Sequence, residues 1–127
     1  MNVVDSSGWI EFFQAGGNGL IFKPVIEARD LLLVPTIALF EVHKVLSRSL
    51  NEDLVTRCLD VMRLGRVLDL TDKRTIAASK VARAHRLALA DAAMYSMALE
   101  HAATFWTQDV DYDKLPSVRY FAKTTAI

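Results

Sequence analysis

Four acidic positions carry the chemistry this chain can do: Asp5, Glu41, Asp91, and Asp109 at the head of the alternating run Asp109-Val110-Asp111-Tyr112-Asp113. Carboxylates brought to close quarters repel one another, and a bound divalent cation is the usual physical relief. Hard oxygen donors, in a chain with one cysteine and three histidines, suit Mg²⁺ or Mn²⁺ rather than zinc. Each acid also has an ordinary explanation. Asp5 is of the type that caps turns, Glu41 fits a solvated helix face with local ion pairing, and Asp91 suits the positive end of a helix dipole. Acidic turns such as 109–113 are common. Taken singly none decides the matter, so the chemistry depends on whether folding gathers them.

The elements that must position these acids are legible from periodicity. Short apolar runs at 2–5, 31–34, 67–70, 104–107 and 118–121 read as strands, and 31–34 has the uninterrupted apolar character of a strand buried on both faces. Helical patterns fill 7–14, 20–28, 36–49, 51–64, 72–85 and 90–102. Thr36, Asn51, and Thr71 or Asp72 are the expected N-caps, and Gly65 ends the fourth helix. This alternation predicts an α/β fold: one domain over 1–127, an α/β/α sandwich with a mostly parallel five-stranded sheet. Such sheets bind ligands beyond the carboxyl ends of their strands. Asp5 closes the first strand and Asp109 follows the fourth, while Glu41 lies mid-helix and Asp91 near a helix start.

Composition bounds the partners. Fifteen basic and fifteen acidic residues cancel, so the chain lacks the strongly basic balance of proteins that hold nucleic acid by charge alone. A polyanionic substrate then requires locally clustered bases or bound metal. The single Cys58 excludes an internal disulfide and a multi-cysteine zinc site, and reads as a small packing side chain. No apolar run approaches the roughly 18 residues a membrane helix needs. The N-terminal residues lack the basic leader and apolar stretch of a secretory signal, so a cytoplasmic location is expected.

The segments Val4-Asp5-Ser6-Ser7, Val34-Pro35-Thr36 with Phe40-Glu41-Val42, Leu89-Ala90-Asp91-Ala92 and Trp106-Thr107-Gln108-Asp109-Val110-Asp111-Tyr112 together resemble the PIN-domain nucleases. In length, motif order and the closing 115–121 segment, the chain looks most like the VapC-type toxins of bacterial toxin-antitoxin pairs. The resemblance covers essentially the whole chain. It implies catalytic roles for Asp5, Glu41, Asp91 and Asp109, with Asp5, Asp91 and Asp109 on metal, Asp111 as a possible helper, and Ser6 and Thr107 as polar support. It further implies hydrolysis of RNA phosphodiester bonds with Mg²⁺ or Mn²⁺, a cognate antitoxin and a homodimer. The apolar faces of the helices either side of Asn51 offer an interface for that dimer.

Two other readings compete: a catalytically silent PIN-like binding module, and a receiver-like phospho-acceptor domain. The second lacks its expected early acidic pair, since Asp5 has no acidic neighbour. Lys44 and Arg48 share a helical face with Glu41 and are candidates for RNA phosphates. Trp9 and Trp106 read first as core fillers and second as base-stacking platforms. His43, His85 and His101 lack metal-ligand spacing and are assigned no role. Gly16-Gly17-Asn18-Gly19 lacks the continuation of a phosphate-cradling loop and reads as a mobile connection.

Overall fold

The structure, a computed structural model, describes residues 1–124. Its elements run β1 (Asn2–Val4), α1 (Ser6–Phe13), α2 (Gly19–Glu27), β2 (Leu32–Pro35), α3 (Thr36–Leu46), α4 (Glu52–Met62), β3 (Arg66–Leu68), α5 (Asp72–His85), α6 (Leu89–Glu100), β4 (Thr104–Thr107) and β5 (Val118–Tyr120), with 3-10 turns at Arg29–Leu31 and Val110–Tyr112. The five strands lie in the order β3-β2-β1-β4-β5, and every pair is parallel. The sheet is therefore wholly rather than mostly parallel.

From β1 the chain steps outward through β2 to β3, then crosses back to lay β4 on the other side of β1. Right-handed crossovers taken in opposite directions put their helices on opposite faces. Accordingly α1 and α2 pack on one side, while α6 packs against β1, β2 and β4. The reversal leaves a crevice at the carboxyl ends of β1 and β4, where two neighbouring loops diverge.

Burial follows from this layering. Val3, Val4, Leu33, Val34 and Phe105 are fully buried strand residues, and α6 shows no single apolar stripe because Ala92 through Ala98 are all buried against the sheet and its neighbours. Trp9 is fully buried and stacks on Phe13 with centroids 5.7 Å apart. Trp106 is partly buried, stacks on Phe121 and donates from Nε1 to Asn2 Oδ1 at 2.9 Å. Trp9 is thus a core residue, while Trp106 is held at the sheet by these contacts.

Local chemistry refines several expected boundaries. Asn51 and Thr71 cap α4 and α5, accepting from the N–H groups of Leu54 and Arg74. Thr36 is not a cap. Pro35 occupies that position with extended backbone while pairing with Leu68 in the sheet, so Thr36 is already helical and α3 has no side-chain cap. Leu31 falls in a 3-10 turn, half exposed, instead of β2. Asp5 leaves β1 to cap α1, α3 stops at Leu46 before a turn through Ser49, and β3 begins one residue early and ends at Leu68.

Gly8 fixes how closely α1 lies over β1. A Cβ at this position would sit 2.7 Å from Val4 Cγ1 and 3.0 Å from Phe22 Cε1, both side chains fully buried. Gly8→Ala gains about 1 kcal/mol of helix propensity but incurs an overpacking cost of about 1–3 kcal/mol. We expect a net loss of roughly 1 kcal/mol, read as a lower urea midpoint at unchanged m. An unchanged or higher midpoint would show that α1 is free to move off the sheet.

Candidate metal centre

Asp5 is the first residue beyond β1. Its backbone N–H extends the ladder to Trp106 O at 3.0 Å, so its position is set by the sheet. The carboxylate then turns back to cap α1, accepting from Gly8 N–H (3.2 Å) and Ser7 Oγ (2.6 Å) on Oδ1, and from Thr107 Oγ1 (2.9 Å) on Oδ2. It is 2% exposed. Burial pushes this carboxyl up to about 7 against the pull of those three hydrogen bonds, and the charge of Asp109 adds to the rise.

Thr107, the last residue of β4, joins two of the acids. Its hydroxyl donates to Asp5 and accepts from the Asp109 N–H at 2.9 Å. Asp109 in turn accepts from the Asp111 N–H at 2.9 Å, opening the 3-10 turn Val110–Tyr112. Tyr112 locks that turn: it is fully buried, 4.7 Å from the Phe105 ring and 6.1 Å from the Tyr95 ring between centroids. With Tyr112 driven into the core, Asp113 falls on the outer surface.

Asp91 lies in the first turn of α6, half-buried, and makes no cap. Its carboxyl is raised by burial first and then by the charges of Asp109, Glu41 and Asp111; the Tyr112 hydroxyl opposes the rise. That hydroxyl is buried and lacks a well-aligned hydrogen-bond partner. Burial and the neighbouring carboxylates push its own pKa upward, so it stays protonated and available to donate. Glu41 reaches the group from α3, tied to α1 by Ser6 Oγ donating to Oε1 at 2.8 Å.

All four sequence-selected acids thus meet at the crevice, on elements separated by up to 104 positions. Carboxylate oxygens of Asp91, Asp109 and Asp111 all lie within 4.8 Å of one another. Donors on opposite sides of an ion with bonds of 2.0 to 2.6 Å are separated by about 4–5 Å, so this all-oxygen set fits a hard divalent cation. Asp111 belongs to this tightest group, and Asp5 stands beside it, linked through Thr107. Ser6 and Thr107 each donate a hydroxyl hydrogen bond to one of the acids, Glu41 and Asp5 respectively.

Lys44 and Arg48 are exposed, and neither lines the two grooves that flank the acids. Sequence reasoning passed over Ser7, Gln108 and Tyr112. Ser7 and Gln108 interlock beneath Asp5, with Gln108 N–H donating to Ser7 Oγ at 3.3 Å. The signal available for Tyr112 was one aromatic residue inside an acidic run, an anchor placed to orient its neighbours.

Comparison with known proteins bears on the fold and the family. The PIN domain family model matches residues 3–118. Among curated proteins none matches by sequence. A toxin-antitoxin complex from Klebsiella pneumoniae contains a chain of the same fold at TM-score 0.77 and 17% identity, with 94% of this chain and 96% of that chain covered. VapBC2 from Rickettsia felis, bound to a promoter DNA fragment, gives 0.72 and 13%, covering 97% and 98%. The sarcin-ricin loop cleaving toxin VapC20 from Mycobacterium tuberculosis gives 0.71 and 16%, covering 89% and 92%. A receiver-like domain is thereby set aside.

The raised carboxyl of Asp5 makes stability depend on pH. In metal-free protein the folded state holds this proton up to about pH 7, while the unfolded chain releases it near 3.8. Between those values the folded state binds more protons, so stability falls as pH rises. In the presence of chelator, we expect the urea midpoint to climb on acidification from pH 8 to pH 5, and Asp5→Asn to flatten that climb. A wild-type midpoint that falls steadily over this range would refute the assignment. The matched span, the all-parallel sheet and the acids at its crevice together establish that the chain belongs to the PIN domain family.

Proposed function

We propose that this chain, one nuclease domain over 1–127, is a metal-dependent endoribonuclease and the toxin of a toxin-antitoxin pair. The observation that carries the reading is the convergence of Asp5, Glu41, Asp91, Asp109 and Asp111 on one crevice, with three of them at ion-sharing distance. Asp91 and Asp109 are the proposed primary ligands of Mg²⁺ or Mn²⁺, with Asp111 completing the close set and Asp5 and Glu41 as neighbouring carboxylates that would add ligand oxygens. When bound, the ion supplies Lewis acidity at the scissile phosphate and lowers the pKa of water.

The protein's own contribution is placement. Thr107 spaces Asp5 from Asp109, Ser6 anchors Glu41, and the buried Tyr112 fixes the 109–111 turn, so the acids need no rearrangement when substrate arrives. The attacking water oxygen bonds to phosphorus and the phosphorus–sugar oxygen bond breaks. The water's hydroxyl remains on the new phosphate monoester, and its other hydrogen goes to the released sugar oxygen.

An antitoxin partner follows by analogy with the toxin-antitoxin complexes of the same fold. A homodimer through α3 and α4 is part of the proposal, since these helices expose Phe40 and Leu54. Among the described residues no helix is long and apolar enough to cross a membrane, and we place the activity in the cytoplasm.

The test is cleavage of a labelled single-stranded RNA with Mn²⁺ or Mg²⁺. Asp5→Asn and Asp91→Asn should each lower the rate at least ~100-fold, and Thr107→Val about 10–100-fold through lost support of the ligands. Asp113→Asn, outside the close set, should retain wild-type activity. Equal cleavage by wild type and Asp91→Asn would end the nuclease reading.

Metal should also report on the site without catalysis. Mn²⁺ at ten times its dissociation constant adds about 1.4 kcal/mol, a rise of roughly 4–6 °C in Tm for a domain of this size. Asp91→Asn should abolish that rise. A wild-type Tm indifferent to millimolar Mn²⁺ would remove the metal centre from the proposal.

A further inference from the structure

Two grooves of about 420 and 370 Å³ flank the acids. Ser7 and Gln108, the pair beneath Asp5, line both, and Asp109 lines the second. A polyanion entering either groove meets fixed negative charge, in a protein whose net charge is zero. One cationic side chain faces both grooves: Lys123, exposed and three residues beyond β5. Among the described residues no other lysine or arginine lines either groove.

Lys123 is held at this mouth by an unusual use of Asn18. Asparagine at a helix N-cap normally accepts from the first-turn N–H groups, yet Asn18, in that position before α2, makes no such bond. Its side chain is 3% exposed, and Nδ2 donates to Gln108 Oε1 at 3.0 Å and to the Ala122 carbonyl at 2.9 Å. One amide thereby ties the groove-lining Gln108 to the residue just before Lys123. Gly17 abuts the Thr124 side chain so closely that a Cβ there would collide with it. Phe121 N–H continues the sheet ladder to the Thr107 carbonyl at 2.9 Å. The stretch Gly16-Gly17-Asn18-Gly19 is therefore a clasp on the segment after β5, where its composition had suggested only a mobile connection.

Glu11, the acid in the first groove, does not neutralise Lys123. Its carboxylate accepts from the Asn18 N–H at 3.4 Å and packs under Gly16. Lys123 forms no ion pair with any described residue. A solvated ammonium, restrained at its backbone and lining the groove that Asp109 also lines, suits a phosphate next to the one being cleaved.

We propose that Lys123, presented by the Asn18 clasp, binds a backbone phosphate of single-stranded RNA flanking the scissile bond. This rests on the nuclease reading for the identity of the polyanion. Lys123 is a substrate-binding residue and Asn18 a positioning residue.

The experiment measures binding of a fluorescein-labelled single-stranded RNA by anisotropy in Ca²⁺ over a series of KCl concentrations, beside cleavage in Mn²⁺. Lys123→Gln should weaken binding roughly three- to tenfold at low salt, and lower the slope of log Kd against log salt by about 0.7, the value for one phosphate contact on a single strand. In cleavage the loss should fall on KM, with kcat near wild type. Lys123→Arg should restore both. Lys80→Gln, which removes the same charge from α5, should leave the slope unchanged.

Asn18→Ala should reproduce the binding defect of Lys123→Gln, and the double variant should be little worse than either. Asn18 is buried, so its variant is compared at matched folded fraction; Lys123 is exposed and its variant carries the test regardless. An unchanged slope and KM in Lys123→Gln would overturn the proposal and leave the nuclease intact if wild type cleaves. Binding that depends on Lys123, without cleavage by wild type, would retain the phosphate contact and remove the nuclease. Absence of both binding and cleavage would remove both.

Discussion

Like charges held together against their repulsion are the constraint around which this molecule is arranged. Separated in water, Asp5, Glu41, Asp91, Asp109 and Asp111 would disperse; here they are fixed by elements whose packing has nothing to do with charge. The sheet pins Asp5 through its ladder to Trp106, and buried Tyr112 pins the 109–111 turn. The Thr107 hydroxyl, donating to one acid and accepting from the backbone of another, sets their separation. The apolar strands and the nearly continuous burial of α6 supply the favourable free energy that offsets the electrostatic cost. Without a rigid parallel sheet the acids would relax apart and cease to form a site.

That division of labour explains what the sequence discloses. Strand runs, caps at Asn51 and Thr71, and acids at strand ends are local signals, and they locate the crevice because reversal of strand order puts ligand sites at the carboxyl edge. What escapes is non-local. Thr36 looked like a cap because the sequence does not say that Pro35 is still paired with Leu68. That Asp111 joins Asp91 and Asp109 in the close set is not legible locally, because the direction of a 3-10 turn depends on where Tyr112 finds its aromatic neighbours. Asn18 and Lys123 are 105 positions apart; the bonds from Asn18 to Gln108 and Ala122 exist only once α1, β4 and β5 are packed.

The solved structures of the same fold described above share 13–17% of their residues with this chain. Such divergence is physically reasonable for a core of this kind. A parallel sheet tolerates exchange among apolar side chains of similar volume, and the demand for a particular residue is concentrated where a carboxylate, a hydroxyl or a glycine is needed at one atom's precision. Gly8, with no room for a Cβ over Val4 and Phe22, is one such place; Thr107, whose hydroxyl must both donate and accept, is another.

The burial of Asp5 also carries an energetic cost. A carboxyl 2% exposed, raised to about 7 by burial and with another acid adjacent, destabilises the metal-free fold at neutral pH. Asparagine there would keep an oxygen for the cap on α1 and remove the electrostatic penalty, so a purely structural role would favour it. Stability sacrificed at a cluster of polar groups is characteristic of sites that act on a ligand. Under the proposed function a divalent cation would supply the missing positive charge, and the same three hydrogen bonds would then hold the Asp5 carboxylate in one orientation.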